Sequence, residues 1–260
     1  MSTDDQSNPR GVQRSRPDTV DALASTVISV LRGRQATSLD GLRQFVLDHI
    51  LRAILHPGAF VPDAVLIELR GYRLTVDAII DLYVPTAARL LGDKWEDDRI
   101  NFAQVTVGAM RLQSLLAEAS AEATLHSKPS QNHLTGLVLI PQGEQHFLGA
   151  SVLAGQLRRL GCDVSMSYDE DFGSLSARLV ADMPDMILIT SARRETLESV
   201  ANTVQLVRKI SPQPPLLVVG GAMQVPAEDV IELTGADLVT NVADKAVTHC
   251  VKRMKSQKAK

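Results

Sequence analysis

The sequence predicts an α plus α/β protein, a helical N-terminal half followed by a five-stranded, mostly parallel sheet. Three observations lead there. Between about Leu39 and His126 apolar residues recur at intervals of three and four. After a short polar stretch the period changes, and short β-rich runs alternate with helical segments. At 260 residues and 45% hydrophobic content, the chain has enough apolar side chains for two cores.

Taken in order, residues 1–37 read as a flexible arm. The first 17 or so hold almost nothing apolar and cannot offset the entropy of ordering. Within the arm "VDALASTVISVL", Val20 to Leu31, has helical spacing, with Asp18 as its cap. Residues 38–126 read as a four-helix bundle: "LDGLRQFVLDHILRAIL", then roughly Pro62 to Arg70, Thr75 to Leu91 and Asn101 to Leu125. Gly71 and the polar turn "GDKWEDDR" separate these segments, and short loops between them imply antiparallel packing. Residues 127–134 have a linker's composition.

In residues 135–260 the strands are "GLVLIP", "DVSMSY", "DMILIT", "PPLLVVGG" and "ADLVTN". Helical runs start near Phe147, Gly173, Arg194 and Pro226, and a last one follows Asn241. Right-handed crossovers then give a doubly wound, flavodoxin-like (Rossmann-type) sheet covered on both faces. The basic end "KRMKSQKAK" reads as a solvated tail.

A net charge of −3 and a pI near 6.1 give no overall bias toward nucleic acid or anionic membrane. Direct sequence-specific DNA binding is not expected. Cys162 and Cys250 form no CxxC pair, and the start lacks the apolar core of a signal peptide, so a cytoplasmic protein is expected. No apolar run approaches the roughly 20 residues that span a bilayer.

Ligands of open α/β sheets bind outside the carboxyl ends of the strands. There the sequence places Glu144-x-His146-x-x-Gly149, then Ser191, then Gly220-Gly221, with 41 residues between Gly149 and Ser191 and 28 between Ser191 and Gly220. These residues and spacings resemble the signature of the cobalamin-binding domain family: Asp-x-His-x-x-Gly, Ser-x-Leu and Gly-Gly in the same order. The resemblance covers roughly residues 134–254. It implies that His146 is the lower axial cobalt ligand, a role that suits neutral imidazole. Glu144 would accept the other ring proton of that histidine. Gly149 would admit the displaced nucleotide tail near a helix start, Ser191 would hydrogen-bond its buried base, and Gly220-Gly221 would leave room for that base. Two positions depart from the signature, since Glu144 replaces the aspartate and Ser191-Ala192-Arg193 replaces Ser-x-Leu. His49, His56, His126, His133 and His249 have no comparable context.

Trp95, the chain's single tryptophan, lies in "LGDKWEDDRINFAQVTVGAMRLQ". That segment resembles the cap of regulatory cobalamin proteins, in which a tryptophan between helices packs over the upper axial position. The Glu-His pair of the adenosylcobalamin photoreceptors is Val105-Thr106 here. This difference argues for a hydroxo- or aquocobalamin ligand, with adenosylcobalamin the other form considered. Arm, bundle and terminal cobalamin domain together resemble the AerR/PpaA family of photosynthesis-gene antirepressors. The resemblance implies a non-enzymatic, light-responsive regulator whose partner is a transcriptional repressor of the aerobic photosynthesis-gene type. A corrinoid carrier for methyl transfer shares the domain order and is the alternative.

Overall fold

The runs GLVLI, MILI and LLVV are apolar at nearly every position, the pattern of strands in a sheet buried on two sides. In the computed structural model, which describes residues 42–125, 134–144, 147–221 and 225–258, these and the two other expected strands form one five-stranded parallel sheet. They are β1 (Thr135–Ile140), β2 (Asp163–Tyr168), β3 (Met186–Thr190), β4 (Leu216–Gly220) and β5 (Leu238–Val239). Their order is β2-β1-β3-β4-β5, the flavodoxin-like arrangement. The register aligns Gly136 with Met186 and Thr190 with Gly220. β2 lies at an edge; it buries Val164 and partly buries Met166 as the alternation of DVSMSY predicts, but the pattern breaks at its end, where Ser167 is buried and Tyr168 exposed.

One face packs Val138, Ile140, Leu188 and Val218 against α6 (Phe147–Arg159) and α10 (Ala243–Lys258). The other packs Leu137, Leu139, Ile187 and Val219 against α7 (Phe172–Ala181), α8 (Leu197–Ile210) and α9 (Ala227–Thr234). A 3-10 turn, Arg194–Thr196, leads into α8. The basic C-terminal stretch is helical as far as Lys258 rather than a tail. Lysines in a last turn face the negative end of the helix dipole, which favours continuation.

The chain divides into two units, Met1–Asp48 and His49–Lys260. The first is described only over residues 42–48, which begin α1 (Gln44–Leu55). The expected arm and its helix Val20 to Leu31, like most of the linker, fall outside the described residues. In the second unit α2 (Pro62–Gly71) starts with Pro62 at its first position, where no backbone donor is needed. Next, α3 (Val76–Ala78) runs through a π-helical turn, Ile79–Tyr83, into α4 (Val84–Glu96). Pro85 has no N–H to return to Asp81, and the wider turn accommodates that missing bond. The helix also continues past Leu91, so most of "GDKWEDDR" is helical and Trp95 stands on α4 rather than between helices. Asn101 and Gln104 exchange hydrogen bonds of 2.9 Å in a capping box at the start of α5 (Phe102–Leu125). Helices α2 and α4 pack against α5. From α5, Arg111 donates to the carbonyls of Ile54, His56 and Gly58, closing the end of α1.

These helices meet the sheet layers along α6. Arg159 pairs with Asp77 at 3.1 Å and with Asp81 in the π turn at 2.6 Å, while Gln156 donates to Asp81 at 3.2 Å. Thus α6 starts at the carboxyl edge of β1 and ends on the preceding helices.

Candidate functional site

After β1 the chain turns through Pro141–Glu144, where the N–H of Glu144 donates to the Pro141 carbonyl at 3.1 Å. Gly143 takes φ +76°, a value that a side chain disfavours. The turn brings the carboxylate of Glu144 back into the sheet edge, where it is only 4% exposed. Its Oε2 accepts the N–H of Ala192 at 2.9 Å, across the gap between β1 and β3. In return the guanidinium of Arg193 donates to the Gly143 carbonyl at 2.6 Å. Strands β1 and β3 flank the topological switch point, where ligands of this architecture bind.

Ser191 follows β3, is 1% exposed, and donates its N–H to the Gly220 carbonyl at 2.8 Å. Its hydroxyl forms a short hydrogen bond with that of Thr196, which in turn donates to the Arg193 carbonyl at 2.7 Å. The Ser191 hydroxyl also lies 3.2 Å from the Arg193 carbonyl, so its one proton is engaged within the loop and donation to a ligand requires the hydroxyl to rotate.

Packing dictates the glycine pair after β4. A Cβ on Gly221, which has φ +144°, would stand 1.7 Å from the Ser191 carbonyl oxygen, and one on Gly220 would stand 2.7 Å from that of Thr240. Asn241 locks the pair, accepting from the Gly221 N–H at 2.7 Å and donating to its carbonyl at 3.0 Å. Beside Gly220 opens an apolar cleft between α6, α10 and the sheet, lined by Leu153, Leu188, Val218, Val242 and Ala246 among others. At about 10 Å³ it barely reaches the space of one water. A flat aromatic group entering there must part these side chains.

Gly149, in the first turn of α6, is exposed, and a Cβ there would meet open space. The free N–H groups of a helix start and its dipole suit an anion. His146 lies outside the described residues. Trp95 is on the last turn of α4 and 47% exposed, so its indole is not consumed by a helical core. The structure therefore brings Glu144, Ser191, Gly220 and Gly221 together at one edge. Ala192, Arg193, Thr196 and Asn241 complete that edge. Sequence reasoning missed Ala192, Arg193 and Asn241 because their contacts join loops far apart in the chain, and Thr196 because its contacts to Ser191 and Arg193 depend on the 3-10 turn.

No protein-family model matches the chain. Over 174 residues, 67% of this chain and 91% of the relative, it is 36% identical to an uncharacterized 20.5 kDa protein in the bchF-crtJ intergenic region of Rhodobacter capsulatus. The chain belongs to the family of that protein. Among solved structures, the monomethylamine corrinoid protein of Methanosarcina barkeri has the same fold as this family member. The TM-score is 0.62 at 16% identity, over 80% of this chain and 95% of that one. Among the described residues no helix is long and apolar enough to cross a membrane.

Proposed function

We propose that this chain is a cobalamin-binding, light-responsive transcriptional regulator. It acts as an antirepressor through a repressor protein of photosynthesis genes and is not an enzyme. The observation that carries the cofactor reading is the junction of the Glu144 and Ser191 loops with Gly220-Gly221 at the switch point, above an apolar cleft. The residues fit the group in kind: a histidine for cobalt, a buried carboxylate to orient it, an open helix start for a phosphate and an apolar slot for the base. Cobalamin would supply a photolabile or exchangeable bond on cobalt when bound.

In this reading His146 would hold the cobalt and Glu144 would accept the second ring proton of that histidine. Ser191 would turn its hydroxyl toward the base, and the Gly149 turn of α6 would take the phosphate. Trp95, with the exposed Phe102, Val107 and Met110, supplies apolar surface for a four-helix cover of the upper face. Such a cover can carry a signal only if ligand states differ in affinity for its arrangements. The regulatory reading is supported by the location of the Rhodobacter relative between bchF and crtJ, which fits a photosynthesis-gene cluster.

The test is an absorption titration with hydroxo-, methyl- and adenosylcobalamin in darkness and light, on wild type and His146→Ala. A bound spectrum with a histidine axial ligand, lost in His146→Ala and altered by light, is expected. Absence of binding to all three overturns the proposal. Glu144→Ala should bind about 10- to 100-fold more weakly, as losses behind a metal ligand do.

The fold likeness to the monomethylamine corrinoid protein favours a second reading, a carrier that shuttles methyl groups between methyltransferases. Methyl turnover with a donor methyltransferase, together with a spectrum indifferent to light, would select it.

A further inference from the structure

At the carboxyl edge, two consecutive residues of one loop bond to two consecutive residues of another, in opposite directions. Ala192 N–H donates to Glu144, and Arg193 donates to the carbonyl of Gly143. We propose that Arg193 is a positioning residue of the cofactor site, setting the direction in which the chain leaves β1 toward Glu144. This inference rests on the cobalamin reading. The signature's leucine offers only apolar contact at this position, whereas a guanidinium offers directional donors.

Three features make the assignment specific. First, the root of the Arg193 side chain is fixed. Its carbonyl accepts the Thr196 hydroxyl at 2.7 Å and the Ser191 hydroxyl at 3.2 Å, and its backbone is extended as the residue before the 3-10 turn. Little conformational freedom beyond that of the side chain itself is then lost in reaching Gly143. Second, the accepting carbonyl belongs to a residue with φ +76°, so the bond holds a peptide whose orientation the backbone alone secures weakly. Third, the two bonds act in concert, because the buried Glu144 carboxylate can meet Ala192 only while the turn that carries it stays closed. In sequence His146, the metal ligand in the cobalamin reading, lies only two residues beyond Glu144.

Arg193 is exposed, so the expected effect on affinity is modest and the spectroscopic effect larger. In wild type, Arg193→Leu and Arg193→Lys, hydroxocobalamin affinity would be measured by titration. The nitrogen splitting of the bound, reduced cobalt(II) form would be read by electron paramagnetic resonance. Arg193→Leu should bind about 5-fold more weakly, the equivalent of one ordinary hydrogen bond, because water screens the exposed guanidinium. At saturation it should also contain a fraction without histidine nitrogen on cobalt. Arg193→Lys, which keeps one donor, should restore most of both. Equal affinity and an undiminished nitrogen signal in Arg193→Leu would overturn the positioning role while leaving cobalamin binding intact. Failure of wild type itself to bind would overturn the cobalamin reading and this inference together.

Discussion

At the amino edge of the sheet, Asp185 and Asp237 spend their carboxylates on joining strands and helices; at the carboxyl edge, the Glu144 carboxylate bonds to the N–H of a loop residue, Ala192, and glycines replace bulky side chains. Asp185 accepts the N–H and hydroxyl of Thr135 at 2.8 and 3.0 Å, tying the start of β3 to the start of β1. Asp237 accepts Leu217 N–H, Arg208 and Arg253 at 2.9 to 3.0 Å, tying β5 to β4, α8 and α10. At the other edge Gly143 and Gly221 hold positive φ, and the bonds join loops rather than strands. The contrast separates two ends of the same sheet: at one, side-chain carboxylates tie strands together, and at the other, tightly packed glycine backbone shapes the edge where we propose that the cofactor binds.

The largest effect that would test this division is expected at Gly221. Alanine there places a methyl carbon against the Ser191 carbonyl at 1.7 Å in a backbone conformation that side chains rarely adopt, so the β3 and β4 loops must separate. Gly221→Ala should cost about 3 kcal/mol or more and abolish cobalamin binding in the fraction that folds. Full binding by the folded fraction would mean that the carboxyl edge is not the site. Asp237→Ala comes next. Losing a shared acceptor strands Arg253 and the Leu217 N–H, and should cost about 2–3 kcal/mol, seen as a lower urea midpoint with an unchanged slope. Because Asp237 lies at the opposite edge, affinity per folded molecule should not change. A matching loss of affinity would show that the two edges are coupled.

The sequence made these edges unequally legible. Short β-rich runs with helical segments between them identified all five strands, most plainly β1, β3 and β4, where burial on both faces forces nearly continuous Val, Leu and Ile. Glu144, Ser191 and Gly220-Gly221 were legible through their spacing, which is local in each strand end. Asp185 and Asp237 were not, since an aspartate before a strand looks like any turn residue until its partners, 50 and 20 residues away in sequence, are placed. Arg193 and Asn241 were hidden for the same reason. Among the helices, the polar composition around Trp95 suggested a turn, yet α4 runs through it. Helix propensity of Lys94 and Glu96, with α5 packed alongside, outweighs the single Gly92.

Asp185 offers a smaller and more chemical test. Burial pushes the thiols of Cys162 and Cys250 up to about 11, with the negative charge of Asp185 as the next cause. At pH 8 such a thiol is about 0.1% ionised against roughly 10% for one at 9, so alkylation should be about 100-fold slower than for a free thiol. Asp185→Asn should quicken labelling only a few-fold, because desolvation remains, and should cost about 1 kcal/mol through Thr135. Labelling at the rate of a free thiol in wild type would mean that the amino edge opens readily, contrary to its assigned role.

The smallest expected effect returns to the carboxyl edge, where Asp171 caps α7 after β2. Its carboxylate accepts the Gly173 and Ser174 N–H groups at 2.8 and 3.0 Å and the Ser174 hydroxyl at 2.6 Å. The Ser174 hydroxyl, then the backbone donors, hold its pKa below the ordinary carboxylate value. A depressed pKa means that the folded state binds the proton less readily than the unfolded state. The contribution is therefore complete above the ordinary value near 3.8 and is lost as the pH falls through the depressed one. Asn keeps an acceptor for the cap but has no charge. Asp171→Asn should thus be slightly less stable than wild type at neutral pH, with the gap closing on acidification, as followed by urea unfolding at several pH values. A gap that stays constant into the acid range would assign the effect to cap geometry, making Asp171 a scaffold residue of the kind found at the opposite edge.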